Sequence, residues 1–159
     1  MLLRLQENLT ARVLFVAANP ALTIFVVKWL ALRMKGITKQ RKLIARVHIM
    51  SADNFRAGPS AVGIRNGAID VKKPLAGDCV GKVGYALVVL DEAHHACRNT
   101  DLRAAVLHYA GRSDTSSGGS DGAAPSQLLL LSDASQAAAL EQVFPEGLEP
   151  VLLTEMVRS

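Results

Sequence analysis

The sequence predicts an α/β fold: a parallel sheet with helices on both faces. Two observations carry this. Short apolar runs at 12–18, 46–50, 85–90 and 127–133 recur along the chain, each with the length of a buried strand. Between them, apolar residues fall at three- and four-residue steps, which is the helical period. Strands alternating with helices imply a parallel sheet. Composition agrees, since half of the 159 residues are hydrophobic but only 4% are aromatic. That balance suits an aliphatic core in a single domain.

In chain order, residues 1–9 read as the tail of a helix and 12–18 as the first strand. Asn19 is placed to cap a helix, with Pro20 at its first position, where a missing N–H costs nothing. That helix runs over 21–35 with Leu22, Phe25, Val26, Trp29, Leu30 and Arg33 at helical spacing, and Gly36 follows as its stop. Trp29 is expected in the core. A basic segment (Lys39, Arg41, Lys42) precedes the second strand, 46–50, and Ser51-Ala-Asp53 can start a short helix toward Phe55. Residues 57–84 are rich in Gly and Pro without a steady period and read as loop, with room for one short strand. The central strand, 85–90, ends in Asp91 and Glu92. A helix is expected over 102–109, a flexible Gly/Ser-rich insertion over 112–126, and a strand over 127–133. An Ala-rich helix, a turn at 144–147 and a last strand at 150–154 complete the chain.

The bulk properties exclude several classes. The composition is that of a globular chain, and two cysteines, Cys79 and Cys97, do not make a disulfide framework. Charge enters the amino terminus too early for a signal peptide. The apolar stretch 13–34 is broken by Asn19, Pro20 and Lys28, a pattern of strand, turn and helix in place of a membrane span. A soluble, intracellular protein is expected. The net charge of +4 is uneven, with +8 in residues 1–50 and −4 in the remainder. A basic amino-terminal third can attract phosphate backbones.

Asp91 and Glu92 carry the clearest chemistry. Acids at the carboxyl end of a buried strand face the place where open α/β sheets bind ligands. The competing reading makes them first-turn acids stabilised by a helix dipole. His94-His95-x-Cys97 raises zinc, but it lacks a second ligand pair, and Cys79 alone leaves the set poorly specified. No nucleophile-elbow sequence is present.

Taken together, the strand ends resemble the first RecA-like domain of superfamily 1 helicases and related P-loop ATPases. Residues 12–30 look like motif Ia, whose turn at Asn19-Pro20 touches single-stranded nucleic acid. Asp91-Glu-Ala-His94 is similar to a Walker B element of the Asp-Glu-Ala-His kind. Ser132-Asp-Ala-Ser-Gln136 resembles motif III, and Leu153-Thr-Glu-Met-Val-Arg-Ser159 resembles motif IV. The resemblance implies ATP and Mg²⁺ as cofactors. Asp91 would hold the Mg²⁺, Glu92 would act as catalytic base, and Asp133 would flank the nucleotide. Gln136 and Arg158 would contact the γ-phosphate. It also implies single-stranded DNA or RNA as partner, met by Asn19, Pro20, Lys39, Arg41 and Lys42.

The chain departs from the family pattern in one main respect. It contains no Gly-x-x-x-x-Gly-Lys-[Ser/Thr], and the imitation at Gly77-Asp-Cys-Val-Gly-Lys82 is one residue short and precedes a strand. Ser132 and Val157 also replace the usual glycine and aromatic residue. The expectation is a partial RecA-like domain over 1–159. Its phosphate-loop segment would lie ahead of Met1 and its second RecA-like domain beyond Ser159, so it would be inactive alone. The alternative is a non-catalytic nucleic-acid-binding or protein-interaction module using the basic amino-terminal third.

Overall fold

A computed structural model describes residues 1, 5–6, 8, 10–75, 84–112, 126–132, 144–145 and 147–149. The chain forms β1 (Val13–Ala17), α1 (Pro20–Arg33), α2 (Gln40–Ile44) and β2 (Val47–Ser51), then a 3₁₀ segment (Ala52–Ala57). There follow β3 (Ser60–Arg65), β4 (Ala68–Pro74), β5 (Leu87–Leu90), α3 (Ala93–Ala96), α4 (Thr100–Tyr109) and β6 (Gln127–Leu130). The six strands make one sheet in the order β4-β3-β2-β1-β5-β6. The fold is therefore α/β, as the alternating runs require.

The sheet is mixed, not wholly parallel. β2, β1, β5 and β6 run parallel, whereas β3 and β4 are antiparallel additions beside β2. The expected loop over 57–84 thus contains a hairpin. Its two-residue turn is Asn66-Gly67, both with positive φ (51° and 79°), as the tight turns that match strand twist demand.

β1 lies at the centre, and all five of its residues are buried. Alternation sends Val13, Phe15 and Ala17 to one face, against Val27 and Leu30 of α1 and its capping residue Met34. Leu14 and Val16 go to the other face, with Val88, Leu90, Leu102 and Val106. On that second face His48 and Tyr85 form a buried polar pair: His48 Nδ1 lies 2.8 Å from the Tyr85 hydroxyl, with the rings edge to face. Burial pushes the His48 pKa down from 6.5 to about 4, and the Arg12 charge adds to the effect. Burial raises the Tyr85 hydroxyl, with Tyr109 adding a smaller push. The phenol therefore keeps its proton and shares a hydrogen bond with a neutral imidazole.

α1 begins as its sequence directs. Asn19 Oδ1 accepts from the Leu22 amide at 3.0 Å, and Pro20 occupies the first turn. The position of Trp29 differs from expectation. It is 45% exposed, in line with Phe25 (63%) and Leu32 (70%), and the Arg33 guanidinium sits 5.2 Å from its ring centroid. The helix is apolar nearly all round, and β1 and β2 cover only the face bearing Val27, Leu30 and Met34. No helix among the described residues is long and apolar enough to cross a membrane. The apolar stretch 13–34 is divided between β1 and α1.

Candidate site at the carboxyl ends of the parallel strands

β1, β2 and β5 all end on the same side of the sheet. There they enclose a cleft of about 280 Å³ lined by Ala18, Ala52, Asp53, Asp91, Glu92, His95, Ala96, Asn99 and Leu102. Open parallel sheets present ligand sites at this edge.

Asp91 and Glu92 are delivered by β5 and pinned by its neighbours. The Asp91 amide donates to the Val16 carbonyl of β1 at 2.9 Å, and the Ala93 amide donates to the Leu131 carbonyl beyond β6 at 2.8 Å. Between these two bonds Glu92 is held in the left-handed region, at φ 50° and ψ 44°. An L-residue other than glycine pays roughly 1–2 kcal/mol there, and such backbone strain concentrates at functional sites. Glu92 occupies the N-cap position of α3 but its side chain makes no capping bond, and the first turn of α3 contains no acid. The plain helix-start reading therefore accounts for neither carboxylate.

The Glu92 side chain turns to histidine instead. Its Oε2 lies 3.3 Å from His94 Nε2, and the other imidazole nitrogen, Nδ1, is 3.0 Å from the Ser132 hydroxyl. His95 stacks obliquely on His94, with centroids 4.2 Å apart. Cys97, which the sequence grouped with these histidines, is buried in the apolar cluster under α4. Burial raises its thiol pKa, and it stands outside the group formed by Glu92, His94 and His95.

Replacing Glu92 with glycine removes the backbone strain. We expect urea unfolding of Glu92→Gly to show a gain of about 0.5–1 kcal/mol. Unchanged or lower stability would mean that the left-handed turn costs nothing.

The other expected site residues are spread out. Asn19 and Pro20 are exposed beside Ala18, and the Asn19 carbonyl is engaged in its cap. Lys39, Arg41 and Lys42 are exposed on α2 and the turn before it. α2 leads into the start of β2, so these cations sit at the amino ends of the strands. The five residues of β2 separate them from the cleft by about 16 Å. Asp133, Gln136 and Arg158 lie outside the described residues, as do the 112–126 insertion apart from its two ends, the Ala-rich helix and the 150–154 strand.

Asp53 and Asn99 join the cleft without having been singled out as site residues. Asp53 could have been found, because it follows β2 as Asp91 follows β5. Asn99 caps α4 through Leu102 N at 3.1 Å. A larger hollow of about 460 Å³, lined by Pro20, Ala21, Ile24, Phe25 and Lys28, lies on one side of α1. It brings together no groups from different elements. No family profile, curated protein or solved structure matches the chain.

Proposed function

We propose that the chain is part of a RecA-like, helicase-related P-loop NTPase, with the cleft serving as the Mg²⁺ side of a nucleotide site. One observation above all supports this reading: Asp91 and Glu92 leave the buried strand β5 together, into the cleft at the carboxyl edge. The strands that lead into three of the four motif-like segments, β1, β5 and β6, are also consecutive parallel neighbours. Their ends therefore fall side by side.

The residues fit a hard cation. Asp53, Asp91 and Glu92 offer carboxylate oxygens, the donors Mg²⁺ prefers. Bound there, Mg²⁺ would neutralise charge on nucleotide phosphates. Asp91 would hold the ion, and Glu92 would orient and deprotonate water. The phosphates find no such match, because the described lining includes neither lysine nor arginine. Turnover by this chain alone is therefore expected at background, and turnover abolished by Glu92→Gln would overturn that expectation.

The site itself is tested by water-proton relaxation with Mn²⁺ standing in for Mg²⁺. We expect ATP to form a ternary complex that Asp91→Asn weakens about tenfold, roughly 1.4 kcal/mol. Complex formation indifferent to Asp91 would remove the nucleotide reading.

A second reading, a non-catalytic nucleic-acid-binding module, is favoured by the exposed trio Lys39, Arg41 and Lys42. Their separation from the cleft allows them to act without it. Binding of single strands that falls steeply with salt, ignores nucleotide and fails when the trio is neutralised would favour this module.

A further inference from the structure

We propose that Glu92, His94 and His95 form a binding site for a divalent first-row transition-metal ion, with Zn²⁺ as its representative. One potential ligand atom from each residue can be chosen so that all three lie within 4.8 Å of one another. The Glu92 Oε2–His94 Nε2 distance of 3.3 Å matches the edge of a tetrahedron around an ion with bonds near 2.0–2.1 Å, which is about 3.3 Å.

A second observation is independent of this spacing. Glu92 Oε2 and His94 Nε2 are both buried, and neither has a hydrogen-bond partner among the described residues. The His94 side chain is completely buried, so bulk solvent does not reach it. Its other nitrogen faces the Ser132 hydroxyl. With Nδ1–H donating to that oxygen, Nε2 presents a lone pair, the tautomer that metal-bound histidines adopt with a hydrogen-bonded second nitrogen. A lone pair facing a carboxylate oxygen is repulsive, and a cation shared by the two makes it attractive.

The left-handed turn at Glu92 explains how residues 92, 94 and 95 converge, since it folds the carboxylate back over the start of α3. His95 is exposed and gives the ion a route from solvent, with a fourth position left for water. Two imidazoles and one carboxylate select zinc-like ions over Mg²⁺, which prefers oxygen. The site shares Glu92 with the nucleotide reading, whose base it would occupy when loaded, but its own evidence does not depend on that reading.

The test titrates the untagged, chelator-treated full chain with Zn²⁺ by calorimetry, and with Co²⁺ by visible absorption. One ion per chain is expected, with the intense ligand-field bands of low-coordinate Co²⁺. Glu92→Gln and His95→Ala should each weaken uptake at least tenfold, and Ser132→Ala about tenfold through loss of the Nδ1 partner. His95 is exposed, so its variant is expected to keep wild-type far-UV circular dichroism. Absence of saturable uptake, or uptake unchanged in both Glu92→Gln and His95→Ala, overturns the proposal. So does a thiolate-to-cobalt charge-transfer band, which would place the ion on cysteine. Zn²⁺ uptake retained in a protein that fails to bind Mn²⁺–ATP would leave this site standing while the nucleotide reading falls.

Discussion

Truncating Leu14 to alanine is expected to cost about 3–4 kcal/mol, a large fraction of what holds a domain of this size together. Leu14 is fully buried in β1, hydrogen-bonded into the sheet between β2 and β5. Its side chain packs among Val16, Val88, Leu90, Leu102 and Val106. Strands on both sides hold the backbone in place, so the space cannot collapse, and a cavity adds to the lost transfer energy. Leu32→Ala removes the same atoms from a residue 70% exposed and should stay within about 0.5 kcal/mol of wild type. Urea denaturation of the two variants gives the comparison, and equal losses would refute the central position assigned to β1.

The second large effect depends on pH. His48 has a folded-state pKa of about 4 against an ordinary 6.5, because burial disfavours its charged form and Arg12 adds repulsion. A lowered histidine pKa means that the unfolded chain binds the proton more readily. The native state is then at full advantage above pH 6.5 and loses it progressively as pH falls toward 4. The shift corresponds to a loss of up to about 3 kcal/mol over that window. Carboxylates also titrate at its lower end, so the measurement is the difference between wild type and His48→Gln. The variant should show the shallower decline, and parallel pH profiles would rule out His48 as the source.

Much of the scaffold could be read from the residues because their constraints are local. Asn19-Pro20 marks the end of β1 and the start of α1 through a cap bond and a fixed φ, both set within a few residues. The apolar runs identify β1, β2 and β5 because a buried parallel strand has few other compositions; β6 shares the composition but lies only partly covered, with Leu129 47% exposed. The β3–β4 hairpin was missed, although Asn66-Gly67 announced it. Its strands do alternate, Val62-Gly-Ile64-Arg65 against Ile69-Asp-Val71-Lys72, but the flanking Gly and Pro residues obscure that short two-residue period. The spacing of Trp29 predicts a core position, but spacing does not reveal how much of a helix that is apolar nearly all round is covered by the sheet. The pairing of Glu92 with His94 was illegible because it depends on a positive φ at a glutamate. That conformation is imposed by hydrogen bonds to β1 and to the residue after β6, which are distant in sequence.

The exposure of Trp29 also determines what its light reports. The chain contains one tryptophan, and that indole lies half in solvent beneath the Arg33 guanidinium. Its emission is therefore expected close to that of a hydrated ring, so that loss of the core should shift it little and make the spectrum a weak monitor of unfolding. The same placement makes it a sensitive monitor of whatever covers α1. A blue shift, or shielding from a dissolved quencher, reports contact at Phe25, Trp29 and Leu32 while the sheet behind them stays unchanged.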